Sequence, residues 1–177
     1  TDDLIAVMPS SVASARILTN NVTVALLAFA LGITFGVGTT ALLFLNGMML
    51  GVVSALCWRH GLAGRLWTFI AAHGPLELTA IVLAAGAGFA VAGALAAPGN
   101  LRRSDALRIH GRAAMALVFG AVPILFLAGF IEGFVSAAEL PAPLKILTGG
   151  VTLAAFFVYV ARAGREEPRG PAGPNRT

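Results

Sequence analysis

Charge is scarce in this chain of 177 residues: only 11% are Asp, Glu, Lys or Arg, where a soluble domain carries about 25%. Apolar residues make up 58% and the mean hydropathy is +0.87. Too little polar surface exists to cover such a domain in water, which excludes an ordinary soluble fold and a disordered chain alike. Cysteine is limited to Cys57, so neither an intrachain disulfide nor a thiolate metal site can form. Aromatic residues account for 8% and lysine for Lys145 alone. No glycine-rich phosphate loop ending in lysine and no nucleophile elbow occurs, and serines outside the chain ends are too few for a catalytic triad. The net charge of +4 does not indicate nucleic acid as a partner. Its basic residues lie in short segments between long apolar runs, as in loops that flank membrane-crossing helices. The expected fold class is all-α, a polytopic transmembrane helical bundle, with the lipid bilayer as its surroundings.

Residues 17–58 contain no charged side chain. As one helix this run would extend about 63 Å, twice the hydrocarbon thickness of about 30 Å. It must therefore fold back, and Gly36-Val37-Gly38 at its centre is the expected turn. The reading is of five spans, at about 18–36, 39–58, 75–97, 113–137 and 144–163, in a single domain over residues 1–163. Ser10-Ser11 suit a turn or helix start. Residues 62–73 carry Arg65 beside Leu66, Trp67, Phe69 and Ile70, which suits a short interfacial or re-entrant helix. Pro75 fits the first turn of the third span, Pro123 is expected to interrupt the fourth, and Lys145 can snorkel at the start of the fifth. Residues 164–177 read as a flexible cytoplasmic tail.

Five crossings place the chain ends on opposite sides. The loop 98–112 and the tail with the adjoining end of the fifth span hold Arg102, Arg103, Arg108, Arg112, Arg162, Arg165, Arg169 and Arg176, against Arg16, Arg59, Arg65 and Lys145 on the other side. That bias puts the C-terminus in the cytoplasm and residue 1 outside a cytoplasmic, or inner, membrane. An outside start with no signal sequence is expected to reflect a further helix upstream of Thr1.

Small residues recur at helical spacing in Gly32-xxx-Gly36 and Gly47-xxx-Gly51, and again in Ala84, Gly88 and Ala92. Such ridges let helix backbones approach closely in lipid, either within the chain or across a homodimer. Ionisable groups at membrane depth cost about 2.5–3.5 kcal/mol each on insertion scales and are functional candidates. Glu77 and Glu132 qualify, with His73, Asn20, Asn21 and Asn46 as polar company. The topology puts His73 and Glu77 at the outer end of the third span, and Glu132 roughly 8 Å below the same surface. One polar cluster opening to the exterior is expected. Glu77 falls in a first helical turn, where free amides favour a carboxylate. His73 lies four residues earlier, but Pro75 between them is expected to keep one helix from presenting both. His60 and His110 lie in basic loops and read as solvated.

The residues Asn20-Asn21, Phe29, Gly32, Gly36, Asn46-Gly47, His73-Gly74, Glu77-Leu78 and Glu132-Gly133 resemble the stage II sporulation protein M family, from about Asn20 to Ser136. The HG-xx-EL segment with a later EG is the specific part. The resemblance implies a polytopic helical protein with a further upstream helix. In its founding member it implies a role in engulfment during sporulation, anchoring peptidoglycan hydrolases, the stage II sporulation proteins D and P, without known enzymatic activity.

Three functional readings follow from sequence and resemblance together. The first is a non-enzymatic scaffold that recruits peptidoglycan hydrolases or other envelope proteins for cell-envelope remodelling, with no cofactor and no metal. The second is a small proton- or cation-coupled transporter or channel using Glu77 and Glu132, which requires a water-accessible cavity reaching both. The third is an intramembrane metal hydrolase, for which Glu132 is the third ligand available to join His73 and Glu77.

Overall fold

The computed structural model describes residues 10–163. Six α-helices occur among them and no strand: α1 (Ser10–Ala30), α2 (Val37–Arg59), α3 (Ala63–Ala71), α4 (Gly74–Ala96), α5 (Arg103–Ile131) and α6 (Ala142–Ala163). A 3-10 turn, Leu31–Thr34, prolongs α1, and a π-helical turn, Glu132–Ser136, prolongs α5. Five helices are long and apolar enough to cross a membrane: Ser14–Thr34, Val37–Arg59, Gly74–Ala96, Arg103–Ser136 and Ala142–Ala163. The architecture is therefore an all-α, multi-pass membrane bundle, with the short α3 lying between the second and third crossings. The tail expected at 164–177 and the start at Thr1 lie outside the described residues.

Three details depart from the expected boundaries. The turn between the first two spans falls one residue early, on Phe35 (φ 57°) and Gly36 (φ 83°). Gly38 belongs to α2 instead, because its amide donates to Thr34 Oγ1 at 2.8 Å and so caps the new helix. The helix that carries the fourth span begins at Arg103, ahead of the expected 113, since Arg103, Asp105, Arg108 and Arg112 form a polar helical extension before the apolar stretch. Helix α5 also runs unbroken through Pro123. The proline removes one backbone donor to the carbonyl of Phe119, while the neighbouring Ala121 and Leu125 stay fully packed.

The centre of the bundle is α4, which packs most extensively on α5 and then on α1. Its core is made of small side chains: Ala25, Ala80, Ala84 and Ala121 surround Leu125, and Ala87 and Ala114 sit beside Val91 and Val118. Lipid tails are as apolar as these residues, so association rests on close van der Waals approach instead. Where α4 crosses the end of α1, a Cβ on Gly32 would run into the backbone of Gly88, and one on Gly88 into the carbonyl of Ala28. Thr39 is fully buried and donates from Oγ1 to that same Ala28 carbonyl at 2.8 Å, tying the start of α2 to α1. Gly36 meets the ring of Phe89. Gly149 on α6 abuts the carbonyl of Ala71 at the end of α3, a contact the sequence pattern did not single out.

Gly47 and Gly51 differ from the other glycines of the small-residue ridges. Among the described residues nothing lies within 4 Å of a Cβ built on either one, so they take no part in the packing of the described bundle. The reason is that α2 leaves the bundle after its first turn: Thr39 is its one buried residue, and Phe44, Met48, Val52 and Trp58 are exposed along it.

These contacts separate two sets of substitutions. Gly32→Val and Gly88→Val are expected to destabilise the bundle by about 1–3 kcal/mol or more through overpacking. Gly47→Val and Gly51→Val are expected to change stability by less than about 1 kcal/mol. Thermal unfolding midpoints of the detergent-solubilised protein measure the contrast.

Candidate functional site

His73 lies where α3 has ended and α4 begins. Its carbonyl accepts the backbone amides of Leu76 (3.0 Å) and Glu77 (3.2 Å), so His73 occupies the cap position of α4. Pro75 takes the first turn, where a missing N–H costs nothing. The expectation that Pro75 separates His73 from Glu77 is thereby corrected. The proline starts the helix instead of breaking it, and His73 Nε2 comes within 3.8 Å of Glu77 Oε2.

Glu132 arrives from the far end of α5. There the regular helix gives way to the π turn, in which Ala137 N–H donates to the Glu132 carbonyl at 3.0 Å, five residues back. Such turns are rare and concentrate at functional sites. The wider turn brings Ser136 towards α4, where its Oγ and His73 Nδ1 share a hydrogen bond of 2.8 Å. Lys145 Nζ, from the first turn of α6, donates to the Ser136 carbonyl at 2.7 Å. Lys145 is thus held by the π turn and does not extend freely to the interface. Phe69 of α3 packs edge-on against the His73 ring at 5.2 Å.

The assembled site is closed. His73 is 3% exposed, Glu77 6%, Glu132 0% and Ser136 2%. One ligand atom each from His73, Glu77 and Glu132 lies within 4.8 Å of the other two. Glu77 Oε1 and both carboxylate oxygens of Glu132 have no hydrogen-bond partner among the described residues. Among the described residues no arginine or lysine pairs with either carboxyl group, and the one basic group beside them is the imidazole of His73.

The asparagines divide. Asn21 on α1 approaches the Glu77 carboxyl without satisfying Oε1. Asn20, one residue away, is exposed on the other side of α1. Asn46 also stays outside the cluster: its amide donates to the Leu42 carbonyl of its own helix at 2.9 Å, on the part of α2 that stands away from the bundle. Ser136, Lys145 and Phe69 complete the site without having been anticipated. Lys145, a lone cation at the head of an apolar span, is the one of the three that carried a signal in the sequence. Two surface clefts lie elsewhere, one among Phe35, Thr40, Phe44 and Phe89 and the other beside Ala155, Tyr159 and Arg162. Neither reaches the carboxyl groups.

Comparison with known proteins places the chain in a family. The family model for stage II sporulation protein M matches residues 4–137, a stretch that includes α1 to α5 and the π turn. No curated protein and no solved structure matches the chain.

The hydrogen bonds that hold the π turn should be measurable one at a time. Ser136→Ala removes the partner of His73 Nδ1 and is expected to cost about 0.5–1.5 kcal/mol. Lys145→Met removes a charged donor from the Ser136 carbonyl and is expected to cost about 1.5–3 kcal/mol. Unfolding midpoints in detergent check both values, and Lys145→Arg is expected to recover part of the second loss.

Proposed function

Because this chain belongs to the stage II sporulation protein M family, we propose that it is a non-enzymatic scaffold of the cytoplasmic membrane. In this reading it recruits partners for cell-envelope remodelling, with peptidoglycan hydrolases as the leading class. The observation that carries the reading is the open glycine face of α2. In this bundle Gly32, Gly88 and Gly149 are each consumed by a close backbone approach, whereas Gly47 and Gly51, one helical turn apart, face nothing else among the described residues. A helix that is apolar all round, barely packed on its own bundle and grooved by two glycines is shaped to receive another membrane helix. The closed polar site supports the same side of the argument, because Glu132 has no exposed surface, where the pathway of a transporter would leave it lining an open cavity.

In the orientation that goes with this proposal, the arginine-rich α4–α5 loop and the C-terminus face the cytoplasm. The α3 end of the bundle, with the polar site beneath it, then lies near the outer leaflet, on the side where peptidoglycan is found.

The test is recovery of peptidoglycan hydrolases with the protein from cross-linked native membranes. Gly47→Leu combined with Gly51→Leu is expected to lower recovery about tenfold, equivalent to ~1.4 kcal/mol of helix packing, with the unfolding midpoint unchanged. Absence of any envelope hydrolase from the wild-type preparation would overturn the reading. So would quantitative self-cross-linking of Gly51→Cys in a Cys57→Ser background, which would make α2 a homodimer face.

A further inference from the structure

The polar site holds a set of groups that the scaffold reading leaves unused. Three acidic or imidazole side chains from two separate chain segments converge at one point, nearly devoid of solvent. Three carboxylate oxygens there have no partner, although buried polar atoms are almost always hydrogen-bonded. Two unpaired carboxylates at membrane depth are among the costliest arrangements a bundle can contain. Among the described residues no donor makes a hydrogen bond to Glu132.

We propose that His73, Glu77 and Glu132 bind a divalent transition-metal ion of the zinc class, which clasps the start of α4 to the π turn at the end of α5. Three features fit such an ion. One nitrogen and two carboxylate oxygens form a ligand set suited to zinc and its neighbours rather than to calcium or magnesium, which take oxygen ligands alone. Two tetrahedral ligands at zinc distances stand about 3.4 Å apart; His73 Nε2 and Glu77 Oε2 stand at 3.8 Å, within a small side-chain adjustment. Finally, the His73 ring is already oriented. With Nδ1–H donating to Ser136 Oγ, the lone pair of Nε2 faces the carboxyl groups, which is how outer hydrogen bonds prepare a metal-binding imidazole.

A dication also balances charge, since two carboxylates neutralise it and remove the cost of leaving them unpaired. The π turn acquires a role as well, because it presents Glu132 and the residue that orients His73 from one short segment. Phe69 and α3 close the site from above, so the ion is a structural clasp enclosed by the bundle. The inference is independent of any partner bound at α2.

The decisive measurement is elemental analysis of protein purified without chelator, followed by zinc titration of chelator-stripped protein. About one zinc per chain is expected, with an unfolding midpoint that rises on zinc addition. X-ray absorption should show nitrogen and oxygen ligands without sulfur, since Cys57 is not in the site. Zinc affinity is expected to fall more than about tenfold in Glu132→Gln and in His73→Asn, about tenfold in Ser136→Ala, and not at all in Glu139→Gln. A wild-type chain that purifies without metal and neither takes up zinc nor gains thermal stability from it overturns the proposal, whatever the variants do. Equal zinc content in wild type, Glu132→Gln and His73→Asn overturns it too, by placing the metal elsewhere.

Discussion

Lipid gives two helices no apolar reason to associate, and the structure is arranged around that constraint. What remains is van der Waals contact, which grows as backbones approach. This is why the centre of the bundle is lined by alanine, and why its closest crossings run through Gly32, Gly88 and Gly149. Large apolar side chains such as Phe44, Trp58, Phe119 and Phe130 are turned outward instead, where a bilayer solvates them without cost. The inside-out appearance of the surface, seen as a soluble protein, is the ordinary condition of a membrane bundle.

Close packing of small residues leaves little room for polar side chains between regular helices. The site is correspondingly built where regularity fails, at the cap of α4 and in the π turn that ends α5. Each irregularity frees a direction that an uninterrupted helix would not supply. The cap lets His73 and Glu77 share a face across Pro75, and the five-residue backbone bond of the π turn swings Ser136 onto the imidazole. Lys145 from α6 then fixes the turn through a carbonyl. A helix that touches the centre of the bundle little is thereby coupled to its most enclosed point.

Much of this was legible in the residues. Absence of charge over 17–58 forces a hairpin, and the glycines of Gly36-Val37-Gly38 placed its turn to within one residue. The depth argument gathered His73, Glu77 and Glu132 at one end of the bundle, and the structure brings them within contact distance. The same argument grouped Asn46 and Asn20 with them, and there it failed. Depth along a helix axis follows from residue number, but direction around the axis does not. Asn46 lies on the free part of α2, and Asn20 faces away from its neighbour Asn21. Ser136 went unnoticed for a related reason: a π turn has no sequence signature, and five residues per backbone bond re-aims a side chain that a 3.6-residue repeat would send elsewhere.

The sequence by itself determined how many helices cross, roughly where each begins and ends, and that lipid surrounds them, because length and hydropathy are properties of each segment alone. Which faces meet was decided only by the folded bundle. Helices α2 and α4 are apolar on every side, so no polar stripe marks an outer face and no amphipathic pattern marks an inner one. Gly47-xxx-Gly51 and Gly32-xxx-Gly36 are indistinguishable as strings, and each specifies a capacity for close approach without naming the helix that fills it. The assignment of Gly32 to the interior and of Gly47 to the open face comes from the competition among all five crossings for the surface of α4, a property that no single segment carries.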